Sequence, residues 1–61
     1  MKNLKKLREQ ANVSQCELAE YLKVNQSFIS QLERGLSDCT FRKAKEIAYR
    51  LNVSLDQLDK E

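Results

Sequence analysis

The chain has no proline, no histidine and a single glycine, Gly35, among its 61 residues. So few turn-forming residues, with 33% of positions charged, favour a compact all-α fold over a sheet. Without histidine, and with Cys16 and Cys39 far apart and lacking close-spaced partners, no metal site is expected. The two cysteines do not form the dense, even spacing of a secreted disulfide scaffold either, and a reducing cytoplasm fits them better. No apolar run approaches the roughly 20 residues that cross a bilayer, so no membrane association is expected. Met1-Lys2-Asn3 opens directly onto a charged amphipathic segment, which is not a secretory leader. A catalytic base, a glycine-rich phosphate loop and paired acids are all missing, so the expectation is that the chain is not an enzyme and takes no cofactor and no small-molecule ligand.

A chain of this length forms one domain, residues 1–61, with little core, because it buries only about 60% of its unfolded surface. Net charge is +2, too little to define a partner, but its distribution is uneven. Lys2, Lys5, Lys6 and Arg8 crowd the start, and Arg42, Lys43, Lys45 and Arg50 follow Gly35. The middle (Glu17, Glu20, Glu33) and the tail (Asp56, Asp59, Glu61) are acidic. Two basic segments either flank a near-neutral reading element and grip phosphates or are ordinary solvated helix faces.

Helix start signals recur along the chain. Ser14 followed by Glu17 makes a capping box, with Val13 and Leu18 placed as a hydrophobic staple. Asn25 is a second cap, flanked by Val24 and Ile29 at the same staple positions. Thr40 caps a fourth helix, and Ser54 with Gln57 repeats the box for a fifth. Five helices follow. The first covers Asn3 to Ala11 with Leu4, Leu7 and Ala11 inward, and the second runs from Ser14 with Leu18, Ala19 and Leu22 buried. The third runs from Asn25 to Gly35, a glycine suited to a helix end. The fourth carries Phe41, Ala44, Ile47, Ala48 and Leu51 on one face, and a short fifth follows Ser54. Only Lys23-Val24 joins the second helix to the third, so the two cross steeply, as in a helix-turn-helix spanning about residues 14–35.

Within the third helix, about residues 25–34, Ile29 and Leu32 fall on one side of a helical wheel. Ser27, Ser30, Gln31 and Arg34 fall on the other, with Gln26 projecting from the first turn. A surface helix ordinarily carries Glu and Lys on such a face. Amides instead suit adenine's N6 and N7, serines give or take one bond, and an outward acid would be repelled by phosphate. Gln15, at the start of the second helix, is placed either to meet a phosphate at the positive helix end or to brace Gln26.

The run Ser14-Gln15-x-Glu17-Leu18-Ala19-x-x-Leu22-x-Val24-x-x-x-x-Ile29-Ser30-x-x-Glu33-x-Gly35 resembles the helix-turn-helix of the XRE/Cro-type regulators, which include many phage repressors. Phe41 to Leu58 resembles that family's fourth and fifth helices. The resemblance implies a five-helix, phage-repressor-like domain that binds double-stranded DNA, as a rule as a homodimer, and regulates transcription, here as a repressor on a pseudo-palindromic operator. It implies base contacts from Gln26, Ser27 and Gln31, and phosphate contact or bracing by Gln15. An ion pair between Arg8 and Glu33 would tie the first helix to the third. Ser30, Arg34, Arg42 and Lys43 are further candidates for the phosphates. Three positions depart from the family pattern. Lys23 stands where glycine is usual, at a left-handed cost of about 1 kcal/mol. Cys39 stands where proline often precedes the fourth helix, and Gln26 and Gln31 stand where arginine is frequent.

Several residues keep two readings. Phe28 either touches a thymine methyl or packs at the core edge, the second being favoured. Tyr49 is plain surface or part of a subunit contact, and Arg42, Lys43 and Lys45 are solvated or phosphate-facing. The expected dimer interface combines the loop after Gly35 with the segment Ser54 to Leu58. The competing function is an antitoxin-like or protein-interaction helical module, served by Phe28 and Tyr49 as exposed aromatics, with DNA binding secondary.

Overall fold

One backbone device ends four of the five helices. The computed structural model describes residue 1 and residues 3–59, with helices α1 (Leu4–Gln10), α2 (Gln15–Leu22), α3 (Gln26–Glu33), α4 (Phe41–Leu51) and α5 (Leu55–Asp59). After α1, α2, α3 and α4 the chain turns left-handed at Asn12, Lys23, Gly35 and Asn52, with φ of 58°, 60°, 74° and 59°. The next N–H then reaches back five residues: Val13 to the Arg8 carbonyl (3.1 Å), Val24 to Ala19 (3.0 Å), Leu36 to Gln31 (2.9 Å) and Val53 to Ala48 (3.0 Å). This is the Schellman pattern, which satisfies carbonyls that a helix end leaves unpaired. At three joints the following residue is a valine turned toward the core, so the chain reverses and anchors itself in one step. Lys2 and Glu61, counted above in the basic and acidic ends, lie outside the described residues.

The helix starts use side chains. Ser14 Oγ accepts from the Glu17 N–H (3.0 Å) while Glu17 Oε1 accepts from the Ser14 N–H (3.2 Å). Thr40 Oγ1 accepts from the Lys43 N–H (3.2 Å), and Ser54 and Gln57 exchange the same reciprocal pair as Ser14 and Glu17. The α3 start corrects the sequence expectation. Asn25 has the extended backbone of a cap (ψ 146°) but makes no side-chain cap bond. The first turn is closed instead by the Phe28 N–H on the Asn25 carbonyl (3.0 Å).

The core collects Leu4 from α1, Leu18, Ala19 and Leu22 from α2, Ile29 and Leu32 from α3, Ile47, Ala48 and Leu51 from α4, Leu58 from α5, and Val13. Each fully buried leucine or isoleucine contributes about 1.5–3 kcal/mol. α2 packs against both α3 and α4, α4 supports α5, and α1 lies on α3. The Asn3 amide donates to the Gln57 carbonyl (2.8 Å), linking the start of the chain to α5.

Two inward positions expected from periodicity are exposed. Ala11 lies beyond the end of α1, which stops at Gln10, and the fourth-residue partner of Leu4 in the interior is Arg8. Phe41 is 69% exposed. It is the first residue of α4 and lies at the margin of the apolar stripe, and the Lys45 ammonium sits 5.5 Å from its ring centre. Phe28 packs partly buried against the core, so it is not the exposed aromatic that a partner-binding surface needs. Among the described residues, no helix is long and apolar enough to cross a membrane.

Candidate nucleic-acid interface

α3 is amphipathic in an unusual way. Ile29 and Leu32 are fully buried, whereas Gln26, Ser27, Gln31 and Arg34 are exposed and Ser30 is half-buried. The outward arc therefore carries amides, hydroxyls and one guanidinium, with no acid on it. The acid within α3, Glu33, turns inward, with a side chain only 5% exposed.

That inward turn creates a chain of hydrogen bonds across three helices. The Arg8 Nε donates to Glu33 Oε2, and a terminal guanidinium nitrogen of Arg8 donates to the Val13 carbonyl (2.8 Å). Arg8 thus ties α1 to α3 and also satisfies the joint between α1 and α2. The other Glu33 oxygen accepts from the Gln15 amide nitrogen (2.9 Å), and Gln15 Oε1 accepts from the Gln26 amide nitrogen (3.3 Å). The two relationships anticipated separately, an Arg8–Glu33 pair and a Gln15 brace, meet at Glu33.

The chain also fixes which way each amide faces. A carboxylate only accepts, so Gln15 must turn its NH₂ toward Glu33 and its oxygen toward Gln26. Gln26 must then turn its NH₂ toward Gln15. What Gln26 keeps for a ligand is its oxygen and its second N–H, held at the first turn of α3, where leading N–H groups and the positive helix end favour an anion such as phosphate.

The other candidates divide. Gln31, farther along the same arc, has its Oε1 bound by the Ser37 hydroxyl (2.8 Å). Arg34, at the end of α3, and Arg42, in the first turn of α4, are exposed. The Lys43 ammonium instead donates to the Leu22 carbonyl (3.0 Å) at the end of α2, so it neutralises a negative helix end rather than reaching into solvent. Sequence reasoning did not pick out Ser37. Its only signal was a hydroxyl in the loop after Gly35, and nothing local links it to Gln31. Among the described residues, no grouping of His, Cys, Asp or Glu could hold a metal ion.

The profile of the family described as Helix-turn-helix matches residues 4–58. No curated protein matches the chain in sequence. The matched span starts at the first residue of α1 and reaches into α5, taking in the capped α2, the short joint and the polar-faced α3. The chain belongs to the XRE-type helix-turn-helix family of DNA-binding regulators.

Proposed function

We propose that this domain is a repressor that binds a pseudo-palindromic operator as a homodimer in the cytoplasm, with α3 as its reading element. The observation that carries the reading is the hydrogen-bond chain from Glu33 through Gln15 to Gln26. It leaves Gln26 one acceptor and one donor, matching the N6–H donor and N7 acceptor that adenine shows in the major groove. Ser27 and Gln31 read neighbouring bases, and Gln15, Ser30, Arg34 and Arg42 face the backbone. A single recognition helix makes too few base contacts for specificity, so two copies related by a two-fold axis place their α3 helices about 34 Å apart in successive major grooves.

The subunit contact belongs to the face around the α3–α4 loop, where Leu36 is 64% and Phe41 69% exposed. The α5 segment contributes less than its sequence suggested, because Leu58 is fully buried and Leu55 half-buried. In-vitro selection from random duplexes tests the whole reading. The expected product is an inverted repeat with an invariant adenine in each half-site, protected over both half-sites at saturation. A selected pool without symmetry, or protection of one half-site alone, contradicts it. The partner-binding alternative rests on Tyr49, 81% exposed on α4. It predicts DNA affinity that barely changes with salt, whereas a DNA binder shows a steep dependence.

A further inference from the structure

We propose that Lys43 is a positioning residue for DNA reading: its ammonium clamps the peptide ahead of Lys23 and so keeps the joint between α2 and α3 left-handed. This role deepens the DNA-reading function above and rests on it. Lys23 has φ 60° and ψ 46°, a conformation that costs lysine about 5- to 30-fold in population. Asparagine, which stands at the corresponding positions 12 and 52, tolerates it. Lys23 is held there from both ends of one peptide. The Lys23 N–H donates to the Glu20 carbonyl within α2 (3.2 Å), and the Leu22 carbonyl of the same peptide accepts from the Lys43 ammonium on α4 (3.0 Å). Lys43 is itself well placed for this. It is half-buried one turn before the fully buried Ile47, and its backbone N–H is capped by Thr40 Oγ1 (3.2 Å).

The least disruptive way out of the left-handed region turns that peptide over, with Leu22 ψ and Lys23 φ counter-rotating, and both bonds then break. A ψ of 46° belongs to neither the right-handed nor the extended region at negative φ, so ψ must change as well. Val24, Asn25 and the start of α3 move with it. The Gln15–Gln26 bond spans α2 and α3 at 3.3 Å, and a shift of one helix against the other loosens the amide chain that orients Gln26. A hydrogen bond to a charged group favours the bonded state by roughly 10- to 100-fold, enough to offset the cost of lysine at this position. Lys43 therefore acts on base reading without touching DNA, through the backbone of the joint.

The test compares wild type, Lys43→Met, Lys23→Gly, the double variant Lys23→Gly with Lys43→Met, and Gln26→Ala. Affinities for the selected operator and for a non-specific duplex are measured over a range of salt, each protein well below its melting temperature. Lys43→Met keeps the stem and removes the ammonium. It should lower operator affinity about fivefold, as the reading-competent joint falls to about a fifth of the population, and leave non-specific affinity and salt slope unchanged. With glycine at 23 the left-handed cost is gone, and the same change should cost less than about twofold. By NMR, the strong intraresidue NOE between the amide and Hα protons that marks positive φ at residue 23 should weaken in Lys43→Met. Weakening on both duplexes with a slope reduced by about one would make Lys43 a phosphate contact and overturn the proposal. A lowered melting temperature with unchanged operator affinity, or an equal loss with lysine and glycine at 23, also overturns it. Gln26→Ala separates the two levels. If it alters no base preference, reading by α3 fails, and the NOE at residue 23 decides the clamp by itself: weakened in Lys43→Met the clamp stands, unchanged it falls. If Gln26→Ala shifts its base pair and Lys43→Met changes neither operator affinity nor the NOE, only the role of Lys43 is refuted.

Discussion

Replacing Arg8 with alanine should almost unfold the domain, and restoring the fold by a second change should not restore its specificity. Arg8 is 8% exposed and holds two partners, the Glu33 carboxylate and the Val13 carbonyl. Its loss leaves a carboxylate in a side chain 5% exposed, with only the Gln15 amide to answer it, and a carbonyl without its donor. Breaking a buried pair in this way costs about 3–5 kcal/mol. A 61-residue chain has roughly 3–9 kcal/mol of total stability, at about 0.05–0.15 kcal/mol per residue, so Arg8→Ala removes a large part of it. Urea unfolding followed by circular dichroism should show a much lower midpoint with little change in slope. The double variant Arg8→Met with Glu33→Leu replaces the pair by apolar side chains and should recover most of the loss. It also removes the acceptor that orients Gln15, so its preference for adenine at the Gln26 position should fall although the fold is sound. Two results would refute the reasoning: Arg8→Ala melting like wild type, or a double variant that is stable and as selective as wild type.

Of the four left-handed residues that end α1 to α4, Lys23 is the one that is neither asparagine nor glycine. Lys23→Gly should gain about 0.5 kcal/mol, the roughly 1 kcal/mol of relieved strain less the entropy glycine adds to the unfolded chain. That corresponds to a rise of about 2–4 °C in melting temperature, whereas Asn12→Gly and Asn52→Gly should gain less, and a fall for Lys23→Gly would show that no strain is held there. Arg42→Ala should weaken binding to all duplexes alike and reduce the slope of log affinity against log salt by about one. Lys43→Ala should leave that slope unchanged and lower stability instead, because its ammonium is engaged with the Leu22 carbonyl. Equal salt slopes for the Arg42 and Lys43 variants would contradict this division. Phe41→Ser should weaken self-association in sedimentation equilibrium with little loss of stability, since the ring is mostly exposed.

The parts of the fold legible in the sequence are those governed by local chemistry. The cap and valine joints at Ser14, Asn52 and Ser54 depend on residues within a few positions of one another, and the apolar spacing of Leu18, Leu22, Ile29 and Leu32 follows from helix periodicity alone. Ala11 and Phe41 escaped because a wheel gives direction but neither where a helix starts and ends nor how deep its terminal residues lie. Asn25 has the residue type of a side-chain cap without the bond, a matter of rotamer rather than composition. Lys43 and Ser37 were harder still. The Lys43 partner is a carbonyl on α2 and the Ser37 partner an amide on α3, both set by how the loops and helices pack. The Glu33 junction lay between these extremes. Arg8 was expected as the partner of Glu33 and Gln15 as a phosphate contact or a brace for Gln26, but only the Gln15–Glu33 bond shows that stability and amide orientation share one carboxylate.

The proposed DNA reading by α3 depends most directly on Gln26. The deciding measurement is the affinity of wild type and Gln26→Ala for the selected operator and for each of its single-base variants, at one salt concentration. The expected result is a loss of about 1–3 kcal/mol on the preferred site and a flattened preference at one base pair per half-site, an adenine in wild type, with the other positions unchanged. A Gln26→Ala variant that binds with the same base preferences as wild type would contradict it and leave α3 without its reading role.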